Sequence, residues 1–194
     1  VAACASRTRA FWAGGVDPGT GGLAGLDTVT IATTGNATDF GDDIPHRGAG
    51  GLSDRTRGVF PSVNGGTNVI RYITMATTGT VEDFGDVYLA VASGGSFASP
   101  TRGVYGGGDN PAYTNVIQYI TISTLGNSAD FGDLTEIRGY LCGASSATRG
   151  LFGGGKNPSL SPSNRNTIDF VTIASTGNAT DFGDLTEASR APAS

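Results

Sequence analysis

The sequence predicts an all-β protein folded as a kind of β-propeller, with four repeated blades that are each an antiparallel sheet of four short strands. Three observations predict it. The tetrapeptide DFGD occurs at 39–42, 83–86, 130–133 and 181–184. A second marker, Thr-Arg, recurs at 8–9, 56–57, 101–102 and 148–149, always in the same phase relative to the first. The chain of 194 residues holds 32 Gly, which is about twice the usual share of ~7% and marks a framework of tight turns. Repeats of about 40–50 residues, each with room for four strands, are the signature of propeller blades.

Within each repeat the elements follow in order. A segment after DFGD supplies the first strand. The second starts at the Thr-Arg arginine and ends in glycines: RAFWAGG at 9–15, RGVF at 57–60, RGVYGGG at 102–108 and RGLFGGG at 149–155. Glycines there end the strand and let the backbone turn sharply. The third strand is LDTVTI at 26–31, NVIRYITM at 68–75, NVIQYITI at 115–122 and NTIDFVTI at 166–173. Its period of two puts Val69, Ile73 and Met75 on one face and Ile70, Tyr72 and Thr74 on the other. Both faces are largely apolar, as a sheet covered on both sides requires. The run TTGNATDFGD at 33–42 then has hairpin chemistry, with Gly35 and Asn36 between β-rich runs, leading to a short fourth strand. No stretch sustains a helical period.

These features resemble the kelch repeat. The resemblance rests on Arg47 or Arg138 in the first-strand region, on Gly106–Gly108 or Gly153–Gly155 closing the second, on Tyr72 or Tyr119 in the third, and on Phe40, Phe84, Phe131 and Phe182 at the fourth. Phe stands where a kelch unit usually has Trp, and Pro61 stands where the second repeat's glycines should begin. The repeat is therefore kelch-like. The phrases TGNATDFGDLT and TRG followed by glycines also resemble repeat arrays in virion proteins of marine tailed bacteriophages, across nearly the whole chain. That resemblance implies a tail, fibre or capsid-decoration component.

The chain is expected to be one propeller domain over 1–194, with repeats at about 1–42, 43–86, 87–133 and 134–184 and a closing segment at 185–194. LTEASRAPAS at 185–194 matches LTEIRGYLCG at 134–143, so the chain ends by starting a further repeat. One reading is a closed four-bladed ring in which the two chain ends meet in one blade, removing free sheet edges. This is favoured over the other, an arc of a larger propeller completed by further blades or by another copy of the chain.

Composition and motifs point away from catalysis. A net charge of −5 with scattered basic residues opposes binding to nucleic acid. No apolar run reaches the roughly 20 residues that span a bilayer, so no membrane insertion is expected. His46 is the only histidine, and neither Cys4 nor Cys142 has a histidine partner nearby in sequence for nucleophilic catalysis. The cysteines read as a pair of buried thiols, and a kelch-type copper enzyme would need more histidine than this. The carboxylate pairs Asp39/Asp42, Asp83/Asp86, Asp130/Asp133 and Asp181/Asp184 raise calcium as a possible ligand, yet each offers only two carboxylates where calcium takes six to eight oxygens. The structural reading is that the first Asp stabilises a turn, the Phe packs between blades, and the second Asp accepts from backbone or from a Thr-Arg arginine. Arg9, Arg57, Arg102 and Arg149 then act as struts from blade to blade.

What differs among repeats is the loop after the second strand, at Val16–Gly25, Val63–Thr67, Asp109–Thr114 and Lys156–Arg165. Such loops cluster at one end of a propeller and carry contacts. Tyr113, Asn110, Asn157 and Trp12 are the candidate contact residues, with core packing the alternative for the two aromatics. The expected function is a non-enzymatic structural or binding module of a virion, acting in attachment or assembly, in a virion or extracellular location and without a cofactor. Its expected partners are other virion proteins or a host-surface glycan or protein, with a homo-oligomer among the possibilities. A lectin-like propeller that binds carbohydrate is the alternative, and a kelch-type enzyme the third.

Overall fold

The computed structural model describes residues 1–17, 21–42, 50–61, 68–77, 79–109 and 112–190. They form a four-bladed β-propeller without helices. Blade 1 is β1 (Ala2–Ala5), β2 (Arg9–Asp17), β3 (Gly21–Thr30) and β4 (Thr38–Gly41). Blade 2 is β5 (Leu52–Ser53), β6 (Arg57–Pro61), β7 (Val69–Thr74) and β8 (Val81–Asp86). Blade 3 is β9 (Gly95–Ala98), β10 (Arg102–Gly106), β11 (Val116–Thr121) and β12 (Ala129–Asp133). Blade 4 is β13 (Cys142–Ser145), β14 (Arg149–Gly153), β15 (Arg165–Thr172) and β16 (Thr180–Ser189). Every sheet is a meander of four consecutive strands paired in sequence order.

The second strand begins where it does because of a side-chain turn just before it. The Ser6 hydroxyl accepts from the Arg9 amide at 3.0 Å, and Asp54, Ser99 and Ser146 hold the amides of Arg57, Arg102 and Arg149 at 2.7, 3.0 and 3.1 Å. This closes the tight turn from the first strand to the second in all four blades.

DFGD proves to be a strand feature rather than the expected turn. The register between third and fourth strands slips at Leu26/Asp27, Ile70/Arg71, Ile117/Gln118 and Ile168/Asp169, so that each DFGD Phe is the extra residue of a β-bulge. The first Asp accepts from the glycine amide two residues on, at 3.0–3.2 Å in all four copies. The glycine takes a φ between 136° and 152°, which L side chains avoid. The motif thus encodes a bend that aims Phe sideways out of its sheet.

That sideways Phe meets the next blade. Phe40 packs in one apolar cluster with Phe60, Ile73 and Met75 of blade 2. Phe84 shares a cluster with Tyr105, Ile120 and Ile122 of blade 3, and Phe131 with Phe152, Val171 and Ile173 of blade 4. Polar contacts repeat in the same register. Arg9 donates to the Met75 carbonyl at 2.9 Å, and Arg57 and Arg102 donate to the carbonyls of Ile122 and Ile173 at 2.8 Å. Of the four expected blade-to-blade struts, Arg9, Arg57 and Arg102 take that role, with carbonyls of the next blade and not the second Asp of DFGD as acceptors, whereas Arg149 is exposed and lies over Phe170 of its own blade. A planar guanidinium held against a sheet end suits this role, since it stacks on an aromatic ring while its N–H groups reach a carbonyl. Arg57 lies over Tyr72 and Arg102 over Tyr119, at 5.2 and 4.7 Å from the ring centroids.

Asp42 is the clearest departure from the role expected of that second Asp. It lies just past the end of β4, is exposed, and lines an open cleft on blade 1 instead of bracing the framework. The physical reason is local. Its neighbour across the sheet is Gly25, where an added Cβ would come within 3.8 Å of Asp42 Oδ1, so the carboxylate rests over a position with no side chain. With Arg9 already held by the carbonyls of Met75 and Thr77, the Asp42 charge stays where water can solvate it.

The outer edge of each fourth strand in blades 2 and 3 is covered as well. Gly126 and Ser128 donate to the carbonyls of Phe84 and Asp86, both at 2.8 Å, and Gly177 and Ala179 donate to those of Phe131 and Asp133, both at 2.7 Å. The amides of Asp86 and Asp133 donate to the Oδ1 atoms of Asn127 and Asn178 at 3.0 and 3.1 Å. These bonds use up groups that an exposed edge strand would offer to other chains.

Blade 4 and blade 1 differ from the expected closure. Each is complete in its own four strands, with β1 paired to β2 and β16 to β15, so the two chain ends do not share a blade. Among the described residues the recurring contacts join blade 1 to 2, 2 to 3 and 3 to 4. At the remaining seam the corresponding side chains are open to solvent: Ile31, the counterpart of buried Met75, Ile122 and Ile173, is 54% exposed, and Phe182 is 51% exposed. The expectation that all four DFGD phenylalanines are core therefore holds for Phe40, Phe84 and Phe131, and Phe182 departs from it because, among the described residues, no blade packs over it.

Candidate functional site

Most residues that recur in every repeat are committed to the framework, so contact chemistry must come from what is unequal. The loops around the ends of blades 3 and 4 supply it. Gly107 and Gly108 end the second strand of blade 3, and Gly108 and Asp109 donate main-chain bonds to the carbonyls of Arg138 and Ala92. Tyr140 is drawn in beside them through its amide, which donates to the Ser93 carbonyl at 2.7 Å. A hydrogen bond to Asp109 is the chief cause that raises the Tyr140 phenol above its ordinary pKa, with burial and the nearby Tyr113 adding to it. Tyr113 itself is half-buried. Two tyrosines and a carboxylate thus lie together on the loop side of blade 3, held by main-chain bonds.

Behind this surface stands a buried ionic network. Arg138 is fully buried, and its Nη2 meets Asp169 Oδ2 at 2.6 Å, with both side chains out of solvent. Its Nη1 donates to the carbonyls of Gly154 and Thr167 at 2.8 Å. Thr135 adds two bonds to the same carboxylate, from its amide at 3.1 Å and its hydroxyl at 2.6 Å. Glu136 accepts from Arg165 at 3.1 Å, Thr167 at 2.9 Å and Asn157 at 3.4 Å. Burial raises the Glu136 carboxyl, but these donors together outweigh it and hold it below the ordinary carboxylate value. Arg138 sits ahead of β13 rather than in the first strand, and fastens the loop ends of blades 3 and 4 together. In blade 3 the position of Asp169 is taken by Gln118, whose amide bonds both the N–H and the carbonyl of Leu89 at 2.7 Å.

The sequence-derived contact residues divide. Tyr113 lies in the loop surface. Asn157 does not: only 4% exposed, it turns inward, accepting from the Ser159 amide and reaching Glu136, because a short loop between two strands needs its own internal cap. Trp12 is 40% exposed, unlike its buried counterparts Phe60, Tyr105 and Phe152, and lines the open cleft of about 820 Å³ on blade 1 with Leu23, Asp27 and Asp42. Asp42, expected as a framework residue, therefore belongs with the accessible surface. Asn110, His46 and Arg47 lie outside the described residues. Cys4 is buried, which pushes its thiol up to about 12, whereas Cys142 is only half-buried, so the expected pair of buried thiols is one of each.

Tyr140, Asp169 and Glu136 were missed by sequence reasoning, as were the turn-forming Ser6, Asp54, Ser99 and Ser146. The last four had a signal, since Ser or Asp stands two residues before every Thr-Arg. Tyr140 had none, because it occurs in one repeat only. Among the described residues no three or more His, Cys, Asp and Glu side chains converge as metal ligands would. No protein-family model and no curated protein matches the chain.

Proposed function

We propose that this chain is a non-enzymatic binding module, a kelch-like propeller of a tailed-phage virion that acts in attachment or assembly. One observation carries the reading. Arg9, Arg57 and Arg102 with Phe40, Phe84 and Phe131 hold one blade to the next and the first Asp of each DFGD shapes its own bulge, which leaves the unequal loops, with Tyr113, Tyr140 and Asp109, as the surface that can vary for recognition. Tyrosines give a large contact area at low entropic cost, and a carboxylate beside them orients a polar partner. The resemblance of the repeat phrases to phage virion arrays supports the location, and the partners in this reading are other virion proteins or a host-surface protein or glycan. Mass spectrometry of purified virions from a host culture carrying the gene is expected to detect the chain. Its absence from intact virions would refute the placement.

The same two tyrosines and aspartate favour one second reading, a carbohydrate-binding propeller. Sugar rings stack on aromatic faces, and carboxylates accept from their hydroxyls. A glycan array is expected to show binding that Tyr140→Ala and Tyr113→Ala weaken. No binding to any glycan at high protein concentration would leave protein contacts as the module's task.

A further inference from the structure

The open faces at the seam are matched halves of the junction that the molecule already builds three times. On blade 4, Arg149 is exposed, and Phe182 and Asp184 stand where Phe84 and Asp86 receive the turn of blade 3. On blade 1, the exposed Ile31, Gly35 and Asn36 stand where Ile122, Gly126 and Asn127 make that turn. We propose that the blade 4 end binds the blade 1 end of a second copy of this chain, head to tail.

Side-chain sizes at the seam single out this sequence as its own partner. In the three packed junctions a glycine of the second strand makes room for a residue from the previous blade. A Cβ added at Gly58 would meet Cys4 Sγ at 2.7 Å, one at Gly103 would meet Leu52 Cδ1 at 2.7 Å, and one at Gly150 would run into the ring of Phe97. Blade 1 has Ala10 in place of that glycine, and blade 4 has Ala144 in place of Cys4, Leu52 and Phe97. One side gains a methyl where the other loses bulk. Trp12, the largest residue at its position, is 40% exposed; its counterpart Phe152 packs on Phe97 with ring centroids 4.8 Å apart, so by equivalence Trp12 would face Ala144, whose small side chain suits a larger ring. A blade carrying Phe or Leu in place of Ala144 would clash with Ala10, so the faces suit each other better than either suits an internal blade.

A second copy, not the chain's own far end, supplies the contact. Within one molecule the three packed junctions leave both faces exposed, and β16 runs on to Ser189, where its carbonyl accepts from Gly155 at 2.8 Å and keeps the segment on blade 4. A head-to-tail contact of this kind closes a ring when the rotation fits and grows a filament when it does not. The contact predicts bonds by equivalence: Arg149 to the Ile31 carbonyl, Gly35 to the Phe182 carbonyl, and the Asp184 amide to Asn36.

Sedimentation of the 194-residue chain over a range of concentrations tests this, and a species of at least twice 19.5 kDa is expected. Ile31→Asp and Phe182→Asp change exposed residues, so each should keep the native circular dichroism and weaken association about tenfold or more. In a chain whose native cysteines are replaced by alanine, Asn36→Cys protein mixed with Asp184→Cys protein should form a disulfide-linked heterodimer. A single-chain mass at every concentration would overturn the proposal. So would association that survives both Asp variants, or, with both new cysteines in one chain, a disulfide formed only within that chain.

Discussion

Asp169→Ala tests the buried network that binds blades 3 and 4 at their loop ends. The substitution removes the partner 2.6 Å from a fully buried guanidinium and leaves the amide and hydroxyl of Thr135 without their acceptor. Two carbonyls still accept from Arg138 Nη1, but neither carries a charge, and the carboxylate that remains nearby, Glu136, stands 3.9 Å from Nε and is already engaged by Arg165, Thr167 and Asn157. Breaking one side of a buried ion pair costs about 3–5 kcal/mol, whereas replacing both sides by apolar groups is often close to neutral. Asp169→Ala should therefore destabilise by about 3–5 kcal/mol. Arg138→Met with Asp169→Leu should cost less than Asp169→Ala alone, leaving mainly the Thr135 amide and hydroxyl, at about 1–3 kcal/mol. Urea denaturation followed by far-ultraviolet circular dichroism gives both values from one series, provided the slope with urea stays constant. A cost below about 1 kcal/mol for Asp169→Ala, or a double variant less stable than the single, would refute the reasoning.

Other expectations rest on single residues. Gly132→Ala and Gly183→Ala impose the same strain of about 1 kcal/mol at φ near 140°. In dilute protein only Gly132→Ala should cost a further 1–3 kcal/mol or so, because its Cβ would meet the Gly177 carbonyl carbon at 2.5 Å while Gly183 has open space. Equal thermal shifts would count against the packed junction between blades 3 and 4. In native protein at about pH 8 a thiol reagent should label Cys142 well before Cys4, whose thiol burial raises to about 12; labelling at equal rates would show that Cys4 is accessible. Glu136, with its folded pKa held below the ordinary 4.5, stabilises the protein above that value and loses the contribution as pH falls through the folded one. Denaturation of the parent chain and Glu136→Gln should therefore differ at neutral pH and converge in acid, and a gap that persists in acid would contradict the assigned donors.

Much of the fold was legible because the repeat states it four times. Thr-Arg marks the start of every second strand, and the two-residue period of NVIRYITM and its equivalents marks the third. DFGD was legible as a marker but not as a bulge. Asp and Gly signal turns and bulges alike, and only the register of the neighbouring strand separates them. The arginine struts could be anticipated, while their acceptors could not, because a main-chain carbonyl leaves no trace in residue identity. For the same reason Asp42 looked like an acceptor for backbone or for a Thr-Arg arginine and instead stands exposed at the cleft beside Trp12. Phe182 looks like Phe84 in sequence and differs only in what stands beside it, so its exposure is a property of the assembly and not of the motif. In the loops, Tyr113 was identified from residue type alone, and that same reasoning failed for Asn157. An Asn in a loop caps its own backbone as readily as it meets a partner.

Residue-resolved hydrogen exchange tests most directly the claim that the recurring residues lock blade to blade. The amides of Gly126, Ser128, Gly177 and Ala179, which bond across junctions, should exchange far more slowly than those of ordinary exposed turns. Gly35 and Ala37, their counterparts on blade 1, should exchange fast in dilute protein and slow down as concentration brings a second copy onto the seam. Fast exchange at all four junction amides would contradict the framework on which the whole reading depends.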